Sequence, residues 1–264
     1  MAKGSIRKMS VDLNDEVVYT LNLSSDVLMN NFIGQKIRLE WNGVINCSAC
    51  NKVTKKSFGQ GFCYSCFINS PQASPCILRP ELCRAHLGEG RDVEWEEKHH
   101  NQPHVVYLAL SSAVKVGITR GDQIPTRWID QGASAAIRLA ETENRYEAGR
   151  IEVALKEFFT DKTNWRKMLQ NVVDDTVDLE DEKWSLEEHL PADITELFSE
   201  NDEIIEISYP VINYPEKVKS LSFDKTPIIE GKLMGIKGQY LIFENGEVLN
   251  IRKHTGYLID IEKV

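Results

Sequence analysis

Four cysteines stand in a spacing that is typical of a metal site. Two residues separate Cys47 from Cys50 and Cys63 from Cys66, and twelve residues lie between the two pairs. A two-residue spacer lets a tight turn direct two thiolates at one ion, and two such turns supply the tetrahedral sulfur shell that structural zinc prefers. The spacing predicts a zinc ribbon in which these thiolates hold Zn²⁺. The alternative is four unpaired cysteines in a core.

The other two cysteines lie close by, in the pattern Cys76-x6-Cys83-x2-His86. They predict a second Zn²⁺ site, in which a later histidine, taken as His100, supplies the fourth ligand. Two neighbouring histidines are further candidates for that position, His99 and His104. The alternative is that both thiols are small buried apolar side chains and that the histidines lie on the surface.

Composition indicates an ordinary soluble globular protein, with 42% hydrophobic and 27% charged residues. The N-terminus lacks the apolar core of a signal peptide, and no apolar run reaches the length of a membrane span. We therefore expect a cytoplasmic protein without a membrane partner, whose cysteines are not paired in disulfides.

The formal net charge of −9 lies in one segment. Residues 171–209 carry 14 acidic side chains and one basic side chain, whereas residues 47–170 carry 17 basic and 14 acidic side chains. The acidic excess therefore does not argue against a nucleic-acid partner for the rest of the chain. The acidic segment is interpreted as a solvated connector; the alternative is an internal phosphate mimic that shields a basic groove.

Apolar periodicity predicts an α+β protein. Alternating runs predict strands within residues 16–46, a hairpin within 105–118 and about five short strands after residue 204. Asn144, with Glu147 three residues later, predicts a helix N-terminus. Four helical segments are predicted. The first begins at Pro125 and resumes through 133–140, and the others cover 145–160, 169–177 and 194–198.

These elements predict five regions along the chain. They are an N-terminal β segment (1–46), a zinc-binding region (47–103), a central α/β domain (104–170), an acidic connector (171–203) and a small C-terminal β module (204–264). A polar and aromatic group in the last module is interpreted as its surface, with a contact to nucleic acid or to the central domain as the alternative: Arg252, Lys253, His254 and Tyr257.

Residues 104–169 resemble the GIY-YIG nuclease superfamily. Tyr107 stands at the family's first signature tyrosine, and Lys115-Val116-Gly117 stands where the family has Tyr-Ile-Gly. Arg127 matches the arginine of the first family helix, and Gln131 occupies a position that holds histidine or tyrosine there. Two further family positions are matched. Glu152 matches the glutamate of a later helix, and Asn164 matches the asparagine that follows that helix.

The resemblance implies a phosphodiester chemistry for these residues. Glu152 would hold Mg²⁺ or Mn²⁺, and the Arg127 guanidinium would bind phosphate. Tyr107 would orient or deprotonate the attacking water, and Asn164 would fix its neighbours by hydrogen bonds. Gln131 cannot act as a base, while Lys115 could contact phosphate as a cation.

The chain also resembles an uncharacterised bacterial and archaeal family that combines a zinc ribbon with a GIY-YIG-like domain. The stretches RPELC, KVGITR, PTRWIDQGA and DKTNWRKML carry this resemblance. It implies that several residues share a site on the same groove as Arg127 and Gln131, namely Thr119, Arg120 and Asp130.

Three functions remain open. The first is a zinc-containing, divalent-metal-dependent endonuclease that acts on DNA or RNA. The second is a catalytically inactive nucleic-acid-binding or adaptor protein, and the third is a structural protein that binds other proteins.

Overall fold

Strands form most of the regular structure in residues 1–159 and 164–264, the part of the chain described by this computed structural model. The strands are β1 (Ala2–Ser5), β2 (Ser10–Leu13), β3 (Val17–Asn22), β4 (Asp26–Leu28), β5 (Lys36–Asn46), β6 (Val53–Thr54), β7 (His104–Leu110), β8 (Val114–Arg120), β9 (Ala135–Thr142), β10 (Ile205–Glu206), β11 (Lys219–Ser220), β12 (Ile228–Lys237), β13 (Tyr240–Phe243), β14 (Glu247–Asn250) and β15 (Tyr257–Lys263). The α-helices are α1 (Tyr64–Asn69), α2 (Val93–His100), α3 (Thr126–Asp130), α4 (Arg145–Leu155), α5 (Trp165–Leu169), α6 (Leu179–Ser185) and α7 (Ala192–Thr195). Short 3₁₀ turns cover Met29–Phe32, Pro71–Ala73, Pro75–Ile77, Pro80–Leu82, Ala85–Leu87, Gly121–Gln123 and Arg252–His254.

The two ends of the chain pair in one sheet. β1 lies antiparallel to β15, with Ala2 opposite Ile261, and β5 lies between β15 and β12. The sheet continues through β13 and β14 to β11, while β6 also pairs with β5. The predicted N-terminal β segment, through β1 and β5, and the C-terminal β module, through β11 to β15, therefore share one sheet and one core.

A three-stranded sheet of β2, β3 and β4 packs on this core. Alternate residues of β3, from Val17 through Tyr19 to Leu21, are fully buried. This period of two is expected for a strand with one face against a core, and it confirms the strand predicted in this stretch.

The central sheet is antiparallel, in the order β10, β9, β7, β8. The predicted hairpin is confirmed, because β7 and β8 pair along their whole length from His104 opposite Arg120 to Leu110 opposite Val114. Val106 and Leu108 face a core built with α4, while Tyr107 and Ala109 face the core of the large sheet.

The helix predicted to resume through 133–140 is wrong. Only α3 is helical, and the alanine-rich stretch that follows forms β9 between β7 and β10. Alanine favours a helix in isolation, but here Ala136 and Ala140 are fully buried between neighbouring elements, and strand pairing decides the structure.

Two predicted helix lengths are corrected. α4 begins as predicted, with the Asn144 side chain accepting a hydrogen bond of 3.0 Å from the Glu147 N–H, but it ends at Leu155 instead of residue 160. The end of the predicted helix at residue 160 lies outside the described residues. Of the helix predicted over 169–177, only Leu169 is helical, as the last residue of α5, and Asn171 then adopts a left-handed φ of 55°.

The acidic segment forms a packed layer of helices. Leu179, Leu186 and Ile194 are buried in the same core as Val106 and Leu108 of β7. The predicted acidic connector (171–203) therefore has an apolar stripe that covers the central sheet on the side away from Tyr107, and its carboxylates lie on the outer side. Among the described residues, none of the helices combines the length and the apolar character that crossing a bilayer requires.

Candidate functional site

The four-cysteine cluster brings the sulfurs of Cys47, Cys50, Cys63 and Cys66 within 4.8 Å of one another. Two thiolates on one tetrahedral zinc lie about 3.8 Å apart, because each Zn–S bond is about 2.3 Å. The Sγ atoms of Cys50 and Cys63 are 3.9 Å apart, so the donor set fits such an ion. Cys63 also precedes α1, and its N–H donates to the Cys47 sulfur at 3.2 Å.

The thiols of this cluster differ in acidity. Burial would raise the pKa of the Cys47 thiol, but backbone N–H groups directed at its sulfur, from Cys50 and Cys63 among others, lower it to about 6. Hydrogen bonding to Cys50 raises the pKa of Cys66 to about 12. A metal ion would displace the protons that these thiols still hold, and the cluster could hold a metal ion such as zinc.

A second cluster, the buried Cys₂His cluster, consists of Cys76, Cys83 and His100. Their ligand atoms also lie within 4.8 Å of one another. His86, predicted as a member, lies outside this group, and its ring stacks on Tyr146 with the centroids 4.6 Å apart.

The side chains that could act on a substrate project from one face of the central sheet. Tyr107 and Gly117 are directly opposite each other on β7 and β8, and Lys115 stands two residues before Gly117 on the same face. An ideal Cβ on Gly117 would lie 2.5 Å from the Tyr107 hydroxyl oxygen. The glycine of the Lys-Val-Gly triplet is therefore required for the Tyr107 ring to lie across β8.

Four basic side chains form the Arg127 cluster: Lys115, Arg127, Arg145 and Arg252. They are grouped because the Arg127 charge acts on each of the other three. Burial and Arg127 together lower the pKa of Lys115 to about 8. The same two causes, burial first, lower the pKa values of Arg145 and Arg252. The cluster is a concentration of positive charge that is partly shielded from water.

Tyr107, Gln131 and Glu152 adjoin this cluster. Burial raises the pKa of the Tyr107 phenol, and Arg127 and Gln131 beside it oppose part of that rise, while the Glu152 charge adds to it. Tyr107 is 0% exposed, and among the described residues its hydroxyl has no hydrogen-bond partner of good geometry. The role of Tyr107 in activating water stays a prediction, and in this structure its hydroxyl does not reach solvent.

Other predicted site residues have structural contacts elsewhere. Asp130 accepts from Lys8 at 2.7 Å and from the Gln239 amide at 2.8 Å, so it joins α3 to the large sheet. Asn164 caps α5 and is exposed, accepting from the N–H groups of Arg166 and Lys167.

The two predicted residues of β8 also have local partners. The guanidinium of Arg120 pairs with the Asp122 carboxylate at 3.3 Å, and Thr119 is buried opposite Val105 of β7. Arg127 and Gln131 therefore lie beside Tyr107, whereas Thr119 belongs to the hairpin and Arg120 contacts the turn after it.

The sequence patterns do not identify Arg145, and Arg252 is interpreted from them as a surface residue. Arg145 occupies the first turn of α4, where a positive charge opposes the helix dipole, and this is the signal that marks it. Its guanidinium donates to the carbonyls of Cys76 and Ile77, both at 3.1 Å. Arg145 therefore links the buried Cys₂His cluster to the Arg127 cluster.

Comparison with known proteins identifies a family. None of the curated proteins and none of the solved structures that were compared matches the chain. A family model described as a protein of unknown function (DUF2797) matches residues 34–259, a range that contains the four-cysteine cluster, the buried Cys₂His cluster and the Arg127 cluster. The chain therefore belongs to the DUF2797 family.

Proposed function

We propose that the protein binds the phosphate backbone of DNA or RNA at the Arg127 cluster and hydrolyses a phosphodiester bond there with a divalent metal ion, in the manner of the GIY-YIG nucleases it resembles. The observation that carries this proposal is the convergence of Lys115, Arg145 and Arg252 on Arg127. Folding holds Lys115, Arg145 and Arg252 partly out of water beside a fourth positive charge, which is unfavourable unless an anion offsets them.

Phosphate is the anion that this cluster suits best. Guanidinium groups bind phosphate oxygens through paired N–H donors, and the cluster contains three of them. Glu152 is an acidic neighbour of both Arg145 and Tyr107, so a carboxylate lies beside the Arg127 cluster. The arrangement is therefore suited to a polyanion and to one hard cation.

The side chains have distinct roles in this proposal. Arg127 binds the non-bridging oxygens, and Lys115, with a pKa of about 8, can give a proton to the leaving oxygen near neutral pH. Glu152 would hold Mg²⁺ or Mn²⁺, which polarises the phosphoryl group when bound. Tyr107 is fully buried, so it is a positioning residue that acts through Arg127 and Gln131. The four-cysteine cluster would hold a structural Zn²⁺.

A second candidate function is nucleic-acid binding without cleavage. The burial of Tyr107 and the amide at Gln131 favour it, because neither group can take a proton from water in the site. The Arg127 cluster would then contribute only to the affinity for nucleic acid, and the Glu152 carboxylate would neutralise part of the cluster's positive charge.

A cleavage and binding panel tests both candidates. Purified protein is incubated with single-stranded, branched and duplex DNA and RNA in the presence of Mg²⁺ or Mn²⁺, and binding is measured in parallel. The nuclease proposal expects metal-dependent products from the wild type and from Glu94→Gln, an exposed glutamate in α2, but none from Glu152→Gln or Arg127→Ala.

The outcomes separate the candidates. Binding that Arg127→Ala weakens, with no cleavage by the wild type, overturns the nuclease and supports the binding protein. If the wild type binds no nucleic acid at all at low salt, both candidates are overturned.

A further inference from the structure

The buried Cys₂His cluster is assembled from three separate segments. Cys76 lies in the 3₁₀ turn Pro75–Ile77, Cys83 follows the turn Pro80–Leu82, and His100 ends α2. All three are nearly inaccessible, with 4%, 2% and 3% of their surface exposed. Residues from three segments whose ligand atoms all point at one buried position are unusual without an ion between them.

The spacing of these atoms fits zinc. A thiolate and an imidazole nitrogen on one tetrahedral zinc lie about 3.6 Å apart, given Zn–S and Zn–N bonds of about 2.3 and 2.05 Å. Cys76 Sγ is 3.8 Å from His100 Nδ1. The buried carboxylate of Glu96 is also 3.8 Å from this same nitrogen.

A fourth donor stands beside the cluster. His86 follows Cys83 with two residues between them, the spacing of a chelating pair. Its Nδ1 is buried and has no hydrogen-bond partner among the described residues. Its ring stacks on Tyr146, which itself packs against Cys76 and Cys83.

We propose that Cys76, Cys83, His86 and His100 bind a second Zn²⁺, with His86 completing the tetrahedron by rotation of its side chain. The ion has a structural role. It joins the turns between residues 75 and 87 to α2, in a region whose buried apolar cluster contains only Cys76, Cys83 and Ala85 among the described residues. A metal supplies the stability that so small a core cannot.

The same turns rest on α4. Gly149 in that helix lies so close to the backbone of Pro80 and Glu81 that a Cβ would not fit. Arg145 donates to the carbonyls of Cys76 and Ile77 from the first turn of the helix. The second Zn²⁺ therefore holds a loop that in turn holds Arg145.

Metal content of the full-length protein tests this proposal, and it does not depend on any activity toward nucleic acid. We expect two zinc ions per chain for the wild type and one for Cys83→Ser, for His100→Ala and for His86→Ala. Cys50→Ser should also hold one, because it removes the other site. His99→Ala is the matched control in the same helix; its Nδ1 contacts the Trp95 carbonyl at 2.7 Å, and it should keep two ions.

One zinc ion in the wild type, or equal zinc in His100→Ala and His99→Ala, would overturn the second site. Retention of two ions by His86→Ala would overturn the proposed ligand set. A second measurement does not rely on variants that fold. The wild type loaded with Co²⁺ should show thiolate-to-metal absorption that saturates only at the second equivalent, and saturation at one equivalent would contradict the proposal.

Discussion

The two faces of the central sheet differ in what they bury. On one face, alternate residues of β7 such as Val106 and Leu108 pack against α4 and the helices of the acidic segment, and this core is apolar. On the other face Tyr107 and Lys115 adjoin α3 and the Arg127 cluster. The same strands thus supply stability on one side and a candidate site on the other, because successive side chains alternate in direction.

The largest expected effect comes from the apolar face. Leu108 is fully buried, so Leu108→Ala should lower the free energy of unfolding by about 2–5 kcal/mol, through lost burial and the cavity left behind. Lys115→Met, on the other face, should maintain or raise the free energy of unfolding, since it removes a charge from beside Arg127. Denaturant unfolding of both variants measures the difference, and equal losses would contradict this division of roles.

The next effect comes from the close approach of Tyr107 to β8. Gly117→Ala places a methyl group against the Tyr107 hydroxyl, and such overpacking destabilises by about 1–3 kcal/mol. Gly121→Ala is the matched control, because no atom of the described residues lies within 4 Å of its Cβ position. The melting temperature should fall only for the first variant. An unchanged melting temperature for Gly117→Ala would mean that the Tyr107 ring does not depend on a glycine at residue 117.

A smaller effect concerns the charge of Lys115. Its pKa of about 8 means that the side chain is positive below that pH and neutral above it. If it contacts phosphate, affinity for a duplex should weaken about 3–10-fold between pH 7 and pH 9, as the positive fraction falls. Lys115→Arg remains charged and should show a flat response. A wild type that binds equally well at both pH values would exclude this contact.

Local patterns predicted the parts of the molecule that depend on near neighbours. The four-cysteine cluster follows from two-residue spacers, and the hairpin of β7 and β8 follows from two short apolar runs with a turn between them. The Asn144 cap was predicted because a capping side chain and the N–H that donates to it lie three residues apart.

Distant contacts account for what the sequence did not reveal. β1 pairs with β15 at the other end of the chain, and Arg145 binds the carbonyl of Cys76, so neither contact has a local signature. The β9 stretch was predicted as helix because alanine favours helices, while its pairing with β7 is decided by the tertiary structure.

The central claim is that the Arg127 cluster contacts phosphate, and the salt dependence of binding tests it most directly. Affinity for a fluorescent duplex is measured from low to moderate salt for the wild type, Arg127→Ala and Arg84→Ala. Arg84 is the control, because it is exposed and paired with Glu89 at 2.6 Å, outside the cluster. Affinity falls as salt rises, so this slope is negative. The loss of one phosphate contact should make the slope of log affinity against log salt less steep by about 1 for Arg127→Ala and leave it unchanged for Arg84→Ala. Equal slopes for all three proteins would contradict a phosphate site at Arg127.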